Sequence, residues 1–201
     1  MRIFPDLTSC LVLLLLLDLI GLSSSRPAHT PSLCSLIGSM VPHFDRLINL
    51  SKKLQELSDE DLSLIAAAEH RLDSLLEIPH TAAAFTQPLK VNEPISQLYN
   101  LSESYKLHMD WLKTARENMS LSSQPAEGAS HHLLKLTHLL NSSLHQLQEE
   151  VPQAAPPSLP PVSTAFDALR FSVEVSEKLR VFVLFAKRWI RVLQKLSCPR
   201  R

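Results

Sequence analysis

Residues 151–162 read VPQAAPPSLPPV, a proline-rich run between two leucine-rich stretches that each carry a helical repeat. Proline fixes φ near the polyproline value, so such a run is a stiff, extended strut. Twelve residues of it cover roughly 37 Å, and a helix of about 25 residues is also roughly 37 Å long. The strut therefore returns the chain along one full helix length, and the helix after it runs in the same direction as the helix before it.

Four segments repeat apolar residues at helical spacing. Upstream of the strut, the third follows Ser123, Pro125 and Glu127 and repeats Leu133, Leu136, Leu140, Leu144 and Leu147. Downstream, the fourth runs roughly from Ser163 to Leu196 and turns Leu169, Val173, Leu179, Val183, Ala186, Ile190 and Leu193 to one side. The first carries Leu33, Ile37, Met40, Phe44, Leu47, Ile48, Leu54 and Leu57, with Pro42 kinking it or marking where the main helix begins. The second starts at a cap-like Asn92 with Pro94 in its first turn and aligns Ile95, Leu98, Tyr99, Tyr105, Met109 and Leu112. A short link makes its two helices antiparallel neighbours, and a long one lets the next helix start in the same direction. Segments one and two are joined by about 35 residues, two and three by a handful, and three and four by the strut. The expected fold is all-α: a four-helix bundle of the long-chain type, up-up-down-down.

Composition agrees. Leucine outnumbers valine and isoleucine together, which favours helix over strand. The 201 residues hold 14 prolines but only 3 glycines, too few for phosphate-cradling loops. The 20 basic and 20 acidic residues cancel, which removes the electrostatic reason to expect nucleic acid.

Arg2 and the apolar run Cys10 to Ile20, followed by Ser23, Ser24 and Ser25, have the form of a secretory signal. The expected division is a signal peptide over residues 1–25 and a helical domain over 26–201. No later stretch reaches 18 uninterrupted apolar residues, so the mature chain is expected to be secreted and extracellular, without membrane insertion. Its charge becomes 19 basic against 18 acidic, because Arg2, Asp6 and Asp18 leave with the signal. Two cysteines remain, Cys34 and Cys198. Cys34 opens the first helix and Cys198 closes the fourth, and in this topology those ends share a pole. A bridge is geometrically allowed; free thiols and an intermolecular bond are the alternatives. Asn49, Asn100, Asn118 and Asn141 head Asn-x-Ser triplets and are candidate N-glycosylation sites.

Nothing in the chain has the pattern of a catalytic, cofactor or metal site. His131, His138 and His145 share one helix face, but ligand sets in bundles draw partners from other helices, as in Glu-x-x-His pairs. The only such spacing, Glu77-Ile78-Pro79-His80, is broken by proline. The histidine face therefore reads as half-solvated surface, and the chain as a binding protein. Opposite the core stripe of the fourth helix lie Arg170, Glu174, Glu177, Val181, Leu184, Arg188, Arg191 and Lys195. Apolar residues flanked by arginine make a protein-binding patch; the alternative is that the late cations simply complement the helix dipole. Phe166, in the first turn of that helix, is either a lid over the bundle's end or an exposed anchor. Trp111 and Trp189 read as core or boundary residues.

The stretch Ser163-Thr164-Ala165-Phe166-Asp167-Ala168-Leu169-Arg170, continuing to Phe185-Ala186-Lys187-Arg188, resembles the last helix of the interleukin-11 family. His70-Arg71-Leu72-Asp73-Ser74-Leu75 and Tyr105-x-x-His108-x-x-Trp111-Leu112 are similar to two further family stretches. The resemblance implies a secreted cytokine, monomeric when free, that binds a specific receptor-α chain and recruits the shared signal-transducing receptor of the interleukin-6 family. It implies that Arg188 is a receptor-α contact, with Leu184 and Arg191 beside it on the exposed stripe. It implies that Phe166 is the aromatic anchor for the shared receptor, with phenylalanine in place of the family's tryptophan. A further receptor contact lies on the outer faces of the family's first and third helices. The neutral charge and the two cysteines depart from the basic, cysteine-free mammalian members. Two rivals to this reading are a ciliary-neurotrophic or cardiotrophin-like relative and a secreted lipid carrier whose amphipathic helices lack a fixed core.

Overall fold

The structure, a computed structural model, describes residues 32–55, 72, 74–75, 78, 90–153 and 156–198. The signal segment, Leu57, and Glu77, Pro79 and His80 lie outside the described residues. Four helices are present: α1 (Leu33–Leu54), α2 (Asn92–Asn118), α3 (Gln124–Gln146) and α4 (Ala165–Ser197). Among the described residues there is no strand, and no helix is long and apolar enough to cross a membrane.

Cross-helix contacts fix the directions. Cys34 meets Cys198 while Asp45 meets Lys187, so α4 descends as α1 rises. His43 meets His132 and Leu50 approaches Gly128, so α3 is also antiparallel to α1. Asn92 reaches Glu149 while Lys113 reaches Glu127, which sets α3 antiparallel to α2. Tyr105 meets Lys178 while Arg116 meets Ser172, which sets α4 antiparallel to α2. Helices α1 and α2 therefore run up and α3 and α4 down, and the up helices pack only against the down ones in substantial contact. This is the up-up-down-down bundle.

The stripes read from the sequence form one continuous core. Ile37, Met40, Phe44 and Leu47 of α1, Ile95, Leu98, Tyr105, Met109 and Leu112 of α2, and Leu133, Leu136, Leu140 and Leu144 of α3 are all fully enclosed. From α4, Leu179, Val183, Ala186, Ile190 and Leu193 join them, whereas Leu169 lies at the core's edge. Each buried aliphatic or aromatic side chain stabilises by about 1.5–3 kcal/mol. Phe182 is the central member. Its ring stacks on Tyr105 with centroids 4.9 Å apart and meets the edge of Phe44 at 6.2 Å, joining three helices. The Tyr105 hydroxyl donates to the Lys178 carbonyl at 2.8 Å, and burial pushes its pKa well above the ordinary tyrosine value. Such a fixed, dry core differs from the adaptable core expected of a lipid carrier.

Two expectations about helix starts are corrected. Of the two roles the sequence offered Pro42, that of the helix start is excluded: α1 runs through it from Leu33 to Leu54. It starts at Leu33, where the Ser32 hydroxyl accepts the Ser35 N–H at 3.3 Å. Buried Leu36, Ile37 and Met40 before Pro42 and Phe44 and Leu47 after it hold the helix across the missing N–H. Asn92 does not cap α2. The backbone at Val91 is already helical, and the Asn92 amide instead donates to Glu149 at 2.6 Å, tying the start of α2 to the end of α3.

Two helix ends use the left-handed turn without glycine. At α2, Ser120 has φ 57°, with Leu121 N–H bonded to the Arg116 carbonyl and Ser120 N–H to the Glu117 carbonyl. At α3, Gln148 has φ 58°, with the equivalent bonds to Leu144 and His145. Both are Schellman closures. Arg116 then locks the short link: its Nε donates to the Ser122 carbonyl at 2.6 Å and its guanidinium to the Ser172 hydroxyl of α4 at 2.7 Å. Helices α3 and α1 come close at Gly128, where an added Cβ would stand 3.2 Å from the Leu50 side chain of α1.

The described residues of the first crossover dock on α2 and α4. Leu72, Leu75 and Ile78 are buried. The Leu72 N–H donates to the Glu174 carboxylate, and the Lys178 ammonium donates to the Leu72 carbonyl at 2.8 Å. Ser74 hydroxyl and His108 Nε2 lie 3.0 Å apart, and His108 Nδ1 is 2.7 Å from the Ser104 carbonyl. The two short family-like stretches, one in the crossover and one in α2, thus meet at Ser74 and His108.

Cys34 and Cys198 are bridged, with Cα atoms 5.1 Å apart, and the bond closes the shared pole of α1 and α4. They are separated by 164 positions. In the chain-entropy account, closing so long a loop stabilises by about 5 kcal/mol, less where the unfolded chain keeps structure. Replacing both cysteines with serine should lower Tm by roughly 10 °C. An unchanged Tm in calorimetry would mean that packing alone holds that pole.

Candidate binding surfaces

Helix α4 displays a different chemistry at each end. Its first turn is fixed by a capping box: the Thr164 hydroxyl accepts the Asp167 N–H at 3.0 Å, and the Asp167 carboxylate accepts the Thr164 N–H at 3.1 Å. This matters because the pair encloses Phe166 in sequence and holds the backbone that carries it. Phe166 is 45% exposed. Of the two readings the sequence allowed, lid or displayed aromatic, the side chain takes the displayed one.

At the other end, Val181, Leu184, Arg188, Arg191 and Lys195 recur at spacings of three, four, three and four, which is one helix stripe. All five are exposed, and Leu184 is 56% exposed, the largest fraction among the big apolar residues. Leu196 adds a second exposed leucine near the end of the helix. The helix dipole reading and the patch reading are compatible for the cations, but a dipole gives no reason for Val181 and Leu184 to stand in water. From Phe166 to Arg188 is 22 residues of unbroken helix, or roughly 33 Å along the axis.

The exposed outer face of α4 is shorter than the sequence predicted. Arg170 and Glu174 leave it. The Arg170 guanidinium sits 4.6 Å from the Phe171 ring centroid and pairs with Asp167 at 3.6 Å. Glu174 accepts the crossover's Leu72 N–H and pairs with Lys178 at 3.5 Å. Glu174 meets the crossover, which a helical projection of one segment cannot reveal, whereas the partners of Arg170 lie within one turn of α4 itself. Trp189 is buried beside Phe185, and Trp111 is at the core's edge with its ring on Phe171.

Histidines 131, 138 and 145 are exposed, and among the described residues no cluster of three metal-ligating side chains exists. Three histidines outside that stripe are better placed. His108 is fully buried, and burial, with a smaller push from Lys178, holds its pKa below the usual value against the opposing Ser104 hydrogen bond. His43 of α1 and His132 of α3 face each other at 3.0 Å between Nδ1 atoms. Neither was legible from spacing, because each partner comes from a distant segment; the only cue was His132 standing one residue off the exposed stripe. The four Asn-x-Ser asparagines also divide. Asn49 and Asn118 are exposed, whereas Asn100 and Asn141 have their side-chain oxygens buried.

The chain matches the protein-family model for Interleukin 11 over residues 27–197. No curated protein and no solved structure matches it. The match spans all four helices, the crossover and the strut, and it decides against the ciliary-neurotrophic or cardiotrophin-like alternative and against an enzyme family. The chain belongs to the interleukin-11 family of cytokines.

Proposed function

We propose that the protein is secreted after removal of residues 1–25 and acts as a monomeric cytokine that brings receptor chains together. The observation that carries this reading is the display of two unlike patches on one rigid helix, roughly 33 Å apart. The stripe of Leu184, Arg188 and Arg191 is the receptor-α contact: arginine pairs directionally, and the aliphatic neighbours exclude water around it. Phe166 is the anchor for the shared signal-transducing receptor, an apolar plug on a capped helix start. It lacks the indole N–H of the family's tryptophan, so the contact rests on burial alone. The outer faces of α1 and α3 supply a further receptor contact. Holding two receptors on one bundle raises their effective concentration for each other, and that proximity is the signal.

Arg188→Ala should weaken receptor-α binding by about 2 kcal/mol, roughly 30-fold. Phe166→Ala should leave that affinity unchanged and abolish signalling. Surface plasmon resonance on the receptor-α ectodomain, read beside a cell reporter, separates the two; parallel losses in both assays for both variants would contradict the two-patch reading.

Glycosylation should favour Asn118. It is exposed and is the last residue of α2, where the chain leaves the helix through Ser120. Asn49 is exposed but lies within α1, and the buried side-chain oxygens of Asn100 and Asn141 oppose glycan attachment in the folded chain. Glycopeptide mass spectrometry of secreted protein should find Asn118 occupied, and occupancy of Asn100 or Asn141 in place of it would refute this ordering.

A further inference from the structure

His43 and His132 meet across the α1–α3 seam, half-buried, with Nδ1 atoms 3.0 Å apart and ring centroids 5.3 Å apart. A hydrogen bond between two imidazole nitrogens needs one proton: one Nδ1 carries N–H and the other is a bare acceptor. When both rings are protonated, each presents an N–H and a positive charge to the other, and the bond becomes a repulsion. Among the described residues, the groups that act electrostatically on the pair supply no counter-charge. The groups that act on the pair are His131 and Lys135 from α3 and Arg46 from α1, all cationic or able to become so. His131 stands with its ring 5.7 Å from that of His132. The carboxylates of α1 and α3 are engaged elsewhere, Asp45 with Lys187 of α4 and Glu127 with Lys113 of α2, and Asp110 of α2 meets Ser130 and Lys106.

We propose that the His43–His132 pair is a proton-operated joint between α1 and α3, closed near neutral pH and opened when both rings take up protons, so that acid releases a receptor bound across that face. The release step rests on the reading of the α1 and α3 outer faces as a receptor contact. The joint itself is a property of the free protein. Exposed Arg46, His131, Leu134 and Lys135 surround the seam, so a change in helix spacing there reshapes the outer surface directly.

The sign follows from the environment. Burial first, then the neighbouring cationic groups, lower both pKa values from 6.5. Well above pH 6.5 the rings are neutral in the closed and open forms alike, and the joint has no pH dependence. Below it, an opened ring takes up a proton that the closed ring resists, so the closed form loses ground as pH falls and the loss levels off once the closed rings also protonate.

Hydrogen exchange of the full mature chain tests the joint. Protection factors of peptides covering residues 40–47 and 128–136, referenced to α4 peptides, should fall about tenfold between pH 7.5 and 5.5. In the double variant His43→Gln/His132→Gln they should not change. The readout is confined to α1 and α3 because buried His108 makes α2 acid-sensitive on its own account. Constant protection in the wild type, or an equal fall in the double variant, overturns the joint. If the double variant does not fold, wild-type imidazole titration by NMR decides: protonation of His43 and His132 must coincide with the loss of protection, and separate midpoints overturn it. For release, dissociation of the shared receptor's ectodomain should accelerate about tenfold at pH 5.5 for the wild type but not for the double variant; equal acceleration refutes release. Absence of wild-type binding at pH 7.5 would refute the receptor reading and the release step with it, while the joint is judged by exchange alone.

Discussion

Phe182 sits where three helices converge, stacked on Tyr105 of α2 and edge-on to Phe44 of α1. Through it α4 is held along its length by both up-running helices, and everything the bundle presents depends on that hold. A surface helix with one partner would bend or shift under load at either end. Held by α1 and α2 together, α4 becomes a straight bar whose two ends are fixed relative to each other. The Cys34–Cys198 bridge closes one pole, and Arg116, bonded to Ser122 and Ser172, closes the other. The docked crossover adds a third hold at mid-helix, through Leu72, Glu174 and Lys178.

Rigidity bears on function because receptor assembly is a matter of geometry. On the proposed reading, a floppy bundle could still bury Phe166 or Arg188 against a single receptor, but it would lose the fixed spacing that brings two chains into register. The disulfide and the Arg116 hydrogen bonds hold the ends, while the middle is held by the aromatic cluster of Phe44, Tyr105 and Phe182 with the Tyr105–Lys178 hydrogen bond.

Much of this was legible in the sequence, because the reasons were local. Leucines at helical spacing named four helices, and proline in the 151–162 run has a fixed reach that only the up-up-down-down order accommodates. With the order known, the ends of α1 and α4 had to share a pole, which made the bridge an option among three. The exposed stripe of α4 followed from which of its residues the core stripe left outside, while its proposed receptor roles came from the resemblance to the interleukin-11 family. What was missed has one physical cause: side chains whose roles are set by partners far away in the chain. Glu174 looked solvated because its partner, the Leu72 backbone, does not appear in a helical projection; Arg170 is the exception, since its partners Asp167 and Phe171 lie within one turn of α4. Asn92 has the chemistry of a cap but bonds Glu149 instead. His108 and Ser74 form a buried pair that neither stretch predicts alone, and the His43–His132 contact depends on the register between α1 and α3.

The central claim is that one rigid bundle engages receptor-α and the shared receptor at the same time through separate patches. Native mass spectrometry of the cytokine mixed with both ectodomains measures this directly. The account predicts a complex that contains the cytokine and both receptor chains, with neither displacing the other. Mutually exclusive binary complexes, in which adding one receptor expels the other, would contradict it.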